Sequence, residues 1–234
     1  ATINKPTDHF NTVLYTGNGN TDRTITVGFQ PDFVWYKERG STDYHTVIDS
    51  IRGATKRLFP NATEAVSTNS ESIKSFVSSG YTVGNNSGTN ANGDNYVSWN
   101  WKAGGAGSSN TDGSVTSTVS VNNTAGFSIF SFTSAGASGT VGHGLSQRPD
   151  MIIFKGRNTT SNWAVYNDPD GDGTLAISLL NDSAVNVTNS SPFTMNDSVF
   201  TWTGASSYSN TNGTQYICYA FRSVKGYSKI GQYT

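Results

Sequence analysis

An internal duplication constrains this chain more than any other feature of its sequence. Val27-Gly28-Phe29-Gln30-Pro31-Asp32-Phe33-Val34-Trp35-Tyr36-Lys37-Glu38-Arg39 recurs in its later part as Leu145-Ser146-Gln147-Arg148-Pro149-Asp150-Met151-Ile152-Ile153-Phe154-Lys155-Gly156-Arg157. Upstream, Phe10 to Thr16 pairs with Phe127 to Thr133, and Ile3-Asn4 with Val121-Asn122. Downstream, Asn92 to Trp101 pairs with Asn212 to Phe221. A period this long, with offsets that drift only at loops, marks two copies of one folding unit. The copies are placed at 1–103 and 114–234. The Gly/Ser-rich stretch 104–113 between them has the composition of a flexible linker. Residues 226–234 look like the opening strand of a third copy.

Each copy reads as strands. Period-two alternation of apolar and polar residues is visible over Thr12–Tyr15, Phe33–Tyr36 and Tyr96–Trp101. Further runs occupy Thr24–Val27, His45–Ile48, Thr55–Phe59, Ile73–Val77 and Tyr81–Val83, bounded by Gly, Asn and Ser turns. One short helical turn is expected within Glu64–Phe76. Ser, Thr, Asn and Gly are abundant where Lys and Glu usually stand, and charged residues make up only 13% of the chain. That bias opposes helix formation, while the 12% aromatic content supplies core-forming side chains. The expected fold class is all-β: two tandem antiparallel β-sandwich repeats, jelly-roll or concanavalin-like, of about eight strands each.

Composition also narrows function. With 15 Lys+Arg against 16 Asp+Glu the net charge is -1, and no broad positive field is available for a nucleic-acid partner. Neither a leader nor an apolar run of membrane-spanning length is seen, so a soluble protein without membrane insertion is expected. The single cysteine, Cys218, lies in an apolar run and reads as a small buried hydrophobe.

Four residues stand out as ligand-binding candidates. Trp163 sits in the loop-flanked stretch Thr160 to Tyr166 and offers an aromatic face to a sugar ring. Tyr44 and His45 occupy the matching place in copy one. Trp35, Trp99, Trp101 and Trp202 alternate within strands and read as core. Arg52, in the charged group Asp49 to Leu58, could fork onto a carboxylate or sugar acid, or pair structurally with Asp49. In Asn167-Asp168-Pro169-Asp170-Gly171-Asp172-Gly173 the alternate carboxylates of Asp168, Asp170 and Asp172 could ligate calcium, the one cofactor the sequence suggests. The twelfth-position Glu of an EF-hand is missing, and an acidic hairpin turn explains the same residues.

No catalytic residue is identified. His9, His45 and His143 have no metal-ligand spacing, no Gly-x-Ser-x-Gly elbow occurs, and Cys218 has no base nearby. A glycan-degrading enzyme would need two facing carboxylates brought together only by the fold.

Ile3-Asn4-Lys5-Pro6, Tyr15 to Gly19, Gly28 to Asp32, Ser50 to Leu58, Tyr96 to Lys102 and Val141 to Leu145 together resemble a repeat domain of tail-fibre and other virion structural proteins of marine phages and cyanophages. The resemblance runs nearly the whole chain and transfers no catalytic or ligand residue. It implies a virion context and a sandwich-like repeat; with uncharged polar loops and no catalytic signature, the expectation is an extracellular virion-surface protein, a homo-oligomer, with host glycan or receptor and other virion proteins as partners. The expected function is host-surface binding, with a structural spacer, decoration or self-assembling repeat as the alternative. Copy two departs from the pattern at Asp168 to Gly173.

Overall fold

A computed structural model describes residues 3–168, 171, 176–188, 193–203 and 211–231. The fold is all-β. Among the described residues the helices are one 3-10 turn, Pro6–Asp8, and one four-residue turn, α1 (Ser87–Asn90). The turn expected within Glu64–Phe76 does not form. Ile73 enters an apolar cluster with Tyr81 and Val83, and packing from strand geometry overrides the weak local helix signal.

Copy one contains β1 (Phe10–Thr16), β2 (Arg23–Thr26), β3 (Phe33–Glu38), β4 (Thr46–Asp49), β5 (Lys56–Arg57), β6 (Ser67–Thr68), β7 (Ile73–Val77), β8 (Gly80–Val83) and β9 (Asn95–Trp101). β10 (Ser108–Asn110) lies in the stretch between the copies, and β11 (Ser117–Asn122) opens copy two. Copy two supplies β12 (Phe127–Thr133), β13 (Ser138–Gly142), β14 (Met151–Gly156), β15 (Trp163–Asn167), β16 (Ala176–Leu179), β17 (Asp182–Thr188), β18 (Phe193–Met195), β19 (Val199–Thr203) and β20 (Gln215–Phe221).

The duplication is visible in strand order. Copy one forms a sheet β1-β9-β3-β4 and a second sheet β2-β8-β7. Copy two repeats both, as β12-β20-β14-β15 within a longer sheet and as β13-β19-β18. Register repeats too: Trp101 lies opposite Phe10 and Phe33, and Phe221 opposite Phe127 and Met151.

The repeated Pro-Asp step has a structural reason. Proline ends just before a strand, where its missing N–H removes no ladder bond. The aspartate then ties that entry to the exit of the last strand: the Asp32 carboxylate accepts from the Ala103 N–H at 2.7 Å, and Asp150 from the Ser223 N–H at 2.5 Å. Backbone bonds from Asp32 to Trp101 and from Asp150 to Phe221, each 2.8 Å, complete the same clip in both copies.

Each copy closes an interior of its own. Val34, Tyr36, Ile48, Ile73 and Tyr81 fill the first, and Phe130, Phe154, Tyr166, Phe200 and Trp202 the second. A third interior lies between the copies. Alternation sends Phe33 and Val47 from one sheet, and Phe127, Ile129, Ile153, Val165, Ile217 and Tyr219 from the other, into a shared seam. Phe33 meets Tyr219 at 4.3 Å and Phe127 at 6.0 Å between ring centroids. The two larger sheets are therefore covered on both faces. This explains why β12, β14 and β20 read as nearly continuous apolar runs.

Residues 104–113, which composition marks as a flexible linker, lie against copy two. β10 pairs with β11 at the sheet edge, and the Gly104 N–H donates to Ser120 Oγ at 2.8 Å. At the other end of the chain, residues 226–231 fold back so that Tyr227 packs with Ile3, Ala125 and Val224. Residues 232–234 lie outside the described residues.

Candidate functional site

Of the four ligand candidates, Tyr44 alone presents its ring to solvent; its side chain is among the few large hydrophobic ones left exposed, at 50%. It stands on the β3–β4 loop at the mouth of an open cleft of about 330 Å³. Its ring lies 5.5 Å from Phe59, tilted by 58°, and the Arg57 guanidinium covers the Phe59 ring at 5.4 Å. Thr42, Asp43 and Thr46 wall one side, and Asn86, Ser87 and Gly88 the other.

Local backbone explains how these groups meet. β5 sets Arg57 opposite Ser67, and the Leu58–Val47 bridge fixes this short hairpin against β4. The α1 turn is anchored by Tyr96, whose hydroxyl donates to the Ser87 carbonyl and accepts the Ala91 N–H at 3.0 Å. Arg57 Nε is buried with no protein partner. The cleft thus offers a flat apolar face, one cation, one carboxylate and several hydroxyl and amide groups, a set that suits a polar ligand with C–H faces.

The other three candidates are less accessible, two of them buried. His45 is half-buried, and its Nδ1 accepts from Trp35 Nε1 at 3.0 Å. Burial, with Lys37 nearby, holds its pKa below the ordinary histidine value. Trp163 is a correction: it is 1% exposed, and it donates Nε1–H to the Phe59 and Ala62 carbonyls at 2.8 and 3.1 Å. Its loop-like flanks concealed a strand buried on both faces.

Arg52 is also a correction, because its side chain is buried and engaged within the protein. Nε bonds Asp49 Oδ2 at 2.6 Å, Nη1 the Lys56 carbonyl, and Nη2 both the Val47 carbonyl and the Tyr219 hydroxyl. Tyr219 in turn donates to Asp49 Oδ2 at 2.7 Å. The structural pairing with Asp49 holds, and copy two completes it.

In the acidic turn, Asp168 is buried. Oδ2 accepts from Arg148 at 2.8 Å and Oδ1 from the Gly171 N–H at 2.9 Å, so both carboxylate oxygens are engaged within the protein. Asp170 and Asp172 lie outside the described residues. Among the described residues no cluster of three or more His, Cys, Asp or Glu is placed to hold a metal.

Two buried reactive groups are accounted for by packing. Cys218 is enclosed, and burial pushes its thiol well above the ordinary range. Lys155 matches Lys37 in the duplication, but its ammonium is enclosed. It donates to the Gly156 and Thr63 carbonyls and to Ser161 Oγ at 2.7, 3.2 and 3.1 Å.

Burial, the larger influence, lowers the Lys155 pKa from 10.5 to about 8; Glu64 opposes the shift and Arg52 adds to it. Between those values the unfolded chain keeps a proton that the folded chain has released, so stability rises with pH through that window. Relative to Lys155→Met, the wild-type chain should gain about 2–3 kcal/mol between roughly pH 7.5 and 10 in urea unfolding. A difference that stays flat across that range would show that the ammonium is not destabilised by burial.

Sequence reasoning found Tyr44 but missed Phe59, Arg57 and the Asn86–Gly88 wall. The cleft joins three segments far apart in sequence, and only the presence of Arg57 in a charged run hinted at it. A second cleft, between the copies, is lined by Phe10, Trp101, Phe221, Tyr227 and residues 228–230 among others.

A family model described as a domain of unknown function (DUF7483) matches residues 5–234, so one family unit spans both copies. No curated protein and no solved structure matches the chain.

Proposed function

The chain belongs to the DUF7483 family, and on that premise we propose that it is a non-catalytic recognition module that binds glycan through the Tyr44–Phe59–Arg57 cleft. In this reading each copy is a sandwich of the jelly-roll kind, and the module stands at a virion surface facing the host cell. The exposed Tyr44 ring beside Phe59 and Arg57 carries the reading. An aromatic face packs on the C–H side of a pyranose, while Arg57, Asp43 and Asn86 provide donors and acceptors for its hydroxyls. The virion setting rests on the sequence resemblance to phage repeat domains.

The test is a glycan array followed by calorimetry on the best hit, with wild-type chain and Tyr44→Ala. Tyr44→Ala should bind at least about tenfold more weakly, about 1.4 kcal/mol, with an unchanged melting temperature because the ring is half in water. Failure of the wild-type chain to bind any glycan, or equal binding by the variant, would remove the proposal.

A further inference from the structure

A smaller cleft of about 160 Å³ opens where the two copies meet, lined by Arg52, Lys56, Val66, Arg157, Asn158 and Gln215. Three of these residues are cationic and none is acidic. Arg52 and Lys56 come from copy one, Arg157 from copy two.

The backbone around Arg157 is fixed on both sides. Its N–H donates to the Gln215 carbonyl at 2.7 Å, its carbonyl accepts the Val66 N–H at 2.8 Å, and Asn158 Oδ1 accepts the Gln215 N–H at 2.9 Å. Its side chain is less well provided for. Arg157 Nε is buried with no hydrogen-bond partner, and among the described residues no carboxylate forms an ion pair with Arg157 or Lys56.

Nearby acids are committed elsewhere or remote. Asp49 is held by Arg52 and Tyr219, and Glu64 is exposed and acts on Lys155. Burial and then repulsion from Arg52 lower the Arg157 pKa, with Asp49 opposing. A cleft lined by the cationic Lys56 and Arg157, with no acidic residue in its wall, has the charge to receive an anion.

We propose that this cleft binds a compact oxyanion, a sulfate or carboxylate group, with Arg157 and Lys56 as its main ligands. Such an ion joins side chains of both copies. It can arrive as a free inorganic anion or as the acidic substituent of a sugar, and its chemistry at the cleft is the same. The site shares no lining residue with the Tyr44 cleft.

Calorimetry with sodium sulfate against sodium chloride at equal ionic strength tests this on the full chain. Wild-type protein should show saturable sulfate binding. Arg157→Gln and Lys56→Gln should each weaken it at least fivefold, with melting temperatures in chloride close to wild type. Tyr44→Ala should leave it unchanged. A sulfated disaccharide that binds more tightly than sulfate identifies a sugar as the carrier; equal or weaker binding identifies the free ion. Absence of saturable binding, or full retention by both cation variants, overturns the proposal.

Discussion

Asp49→Ala should lower the unfolding free energy by about 3–5 kcal/mol, the cost of leaving a buried guanidinium without its carboxylate. Arg52 and Asp49 are fully enclosed at the seam, joined at 2.6 Å and capped by the Tyr219 hydroxyl of copy two. Burial alone would weaken the Arg52 proton affinity; Asp49 and Tyr219 more than restore it, so the pKa stands above the ordinary arginine value. Removing the carboxylate leaves the desolvation in place and deletes what offsets it. Urea unfolding measures the loss. Asp49→Leu combined with Arg52→Met should recover part of it and not all, since the Lys56 carbonyl loses the Arg52 donor and the Val47 carbonyl keeps only the Leu58 N–H. A loss below about 1 kcal/mol for Asp49→Ala would mean that water reaches the guanidinium.

Trp163→Ala should cost a similar amount, about 3–5 kcal/mol. The indole fills the seam and holds the loop around Phe59–Ala62 of copy one through two hydrogen bonds from Nε1. Two further bonds lie nearby: Ser161 N–H donates to the Thr63 carbonyl at 2.9 Å, and Val66 N–H to Arg157 at 2.8 Å. Trp163→Phe separates the contributions, keeping a ring in the seam while taking the indole donor from the Ala62 carbonyl and leaving the Phe59 carbonyl only the Ala62 N–H. It should cost about 1–3 kcal/mol and speed amide exchange over residues 59–66. Unfolding within about 1 kcal/mol of wild type for Trp163→Ala would remove the seam from any account of stability.

Much of the architecture was legible in the sequence because duplication is a statement about topology. Pairing Pro31-Asp32 with Pro149-Asp150, and Asn92 to Trp101 with Asn212 to Phe221, already aligned the strands that later proved to share one order and register. What alternation could not disclose was the third interior. Trp163-Ala164-Val165-Tyr166 has no polar face to betray a side, because Trp163 and Val165 enter the seam while Ala164 and Tyr166 enter the interior of copy two. Polar flanks at Thr160 to Asn162 then made a buried residue look accessible.

The candidate site was half legible for a related reason. Tyr44 stands in a stretch without strand pattern, so exposure was a fair reading, and Arg52 carried Asp49 at the spacing of a local ion pair. Phe59, Arg57 and Asn86 to Gly88 are neighbours of Tyr44 only through the β4–β5 bridge and the α1 turn. Such neighbours are set by long-range pairing, to which a single sequence gives no key.

Severing the backbone anywhere between Ala103 and Ser114 would leave two fragments of unequal fate from ordinary domains. Each would keep its own lining of Val34 and Tyr36, or of Phe130 and Phe154, yet expose to water a broad aromatic wall bearing Phe33 on one and Phe127 and Tyr219 on the other. Such pieces seek any greasy partner within reach, their own kind included. Covalent continuity supplies the right one at high effective concentration, so along the seam each copy is the other's shield from water.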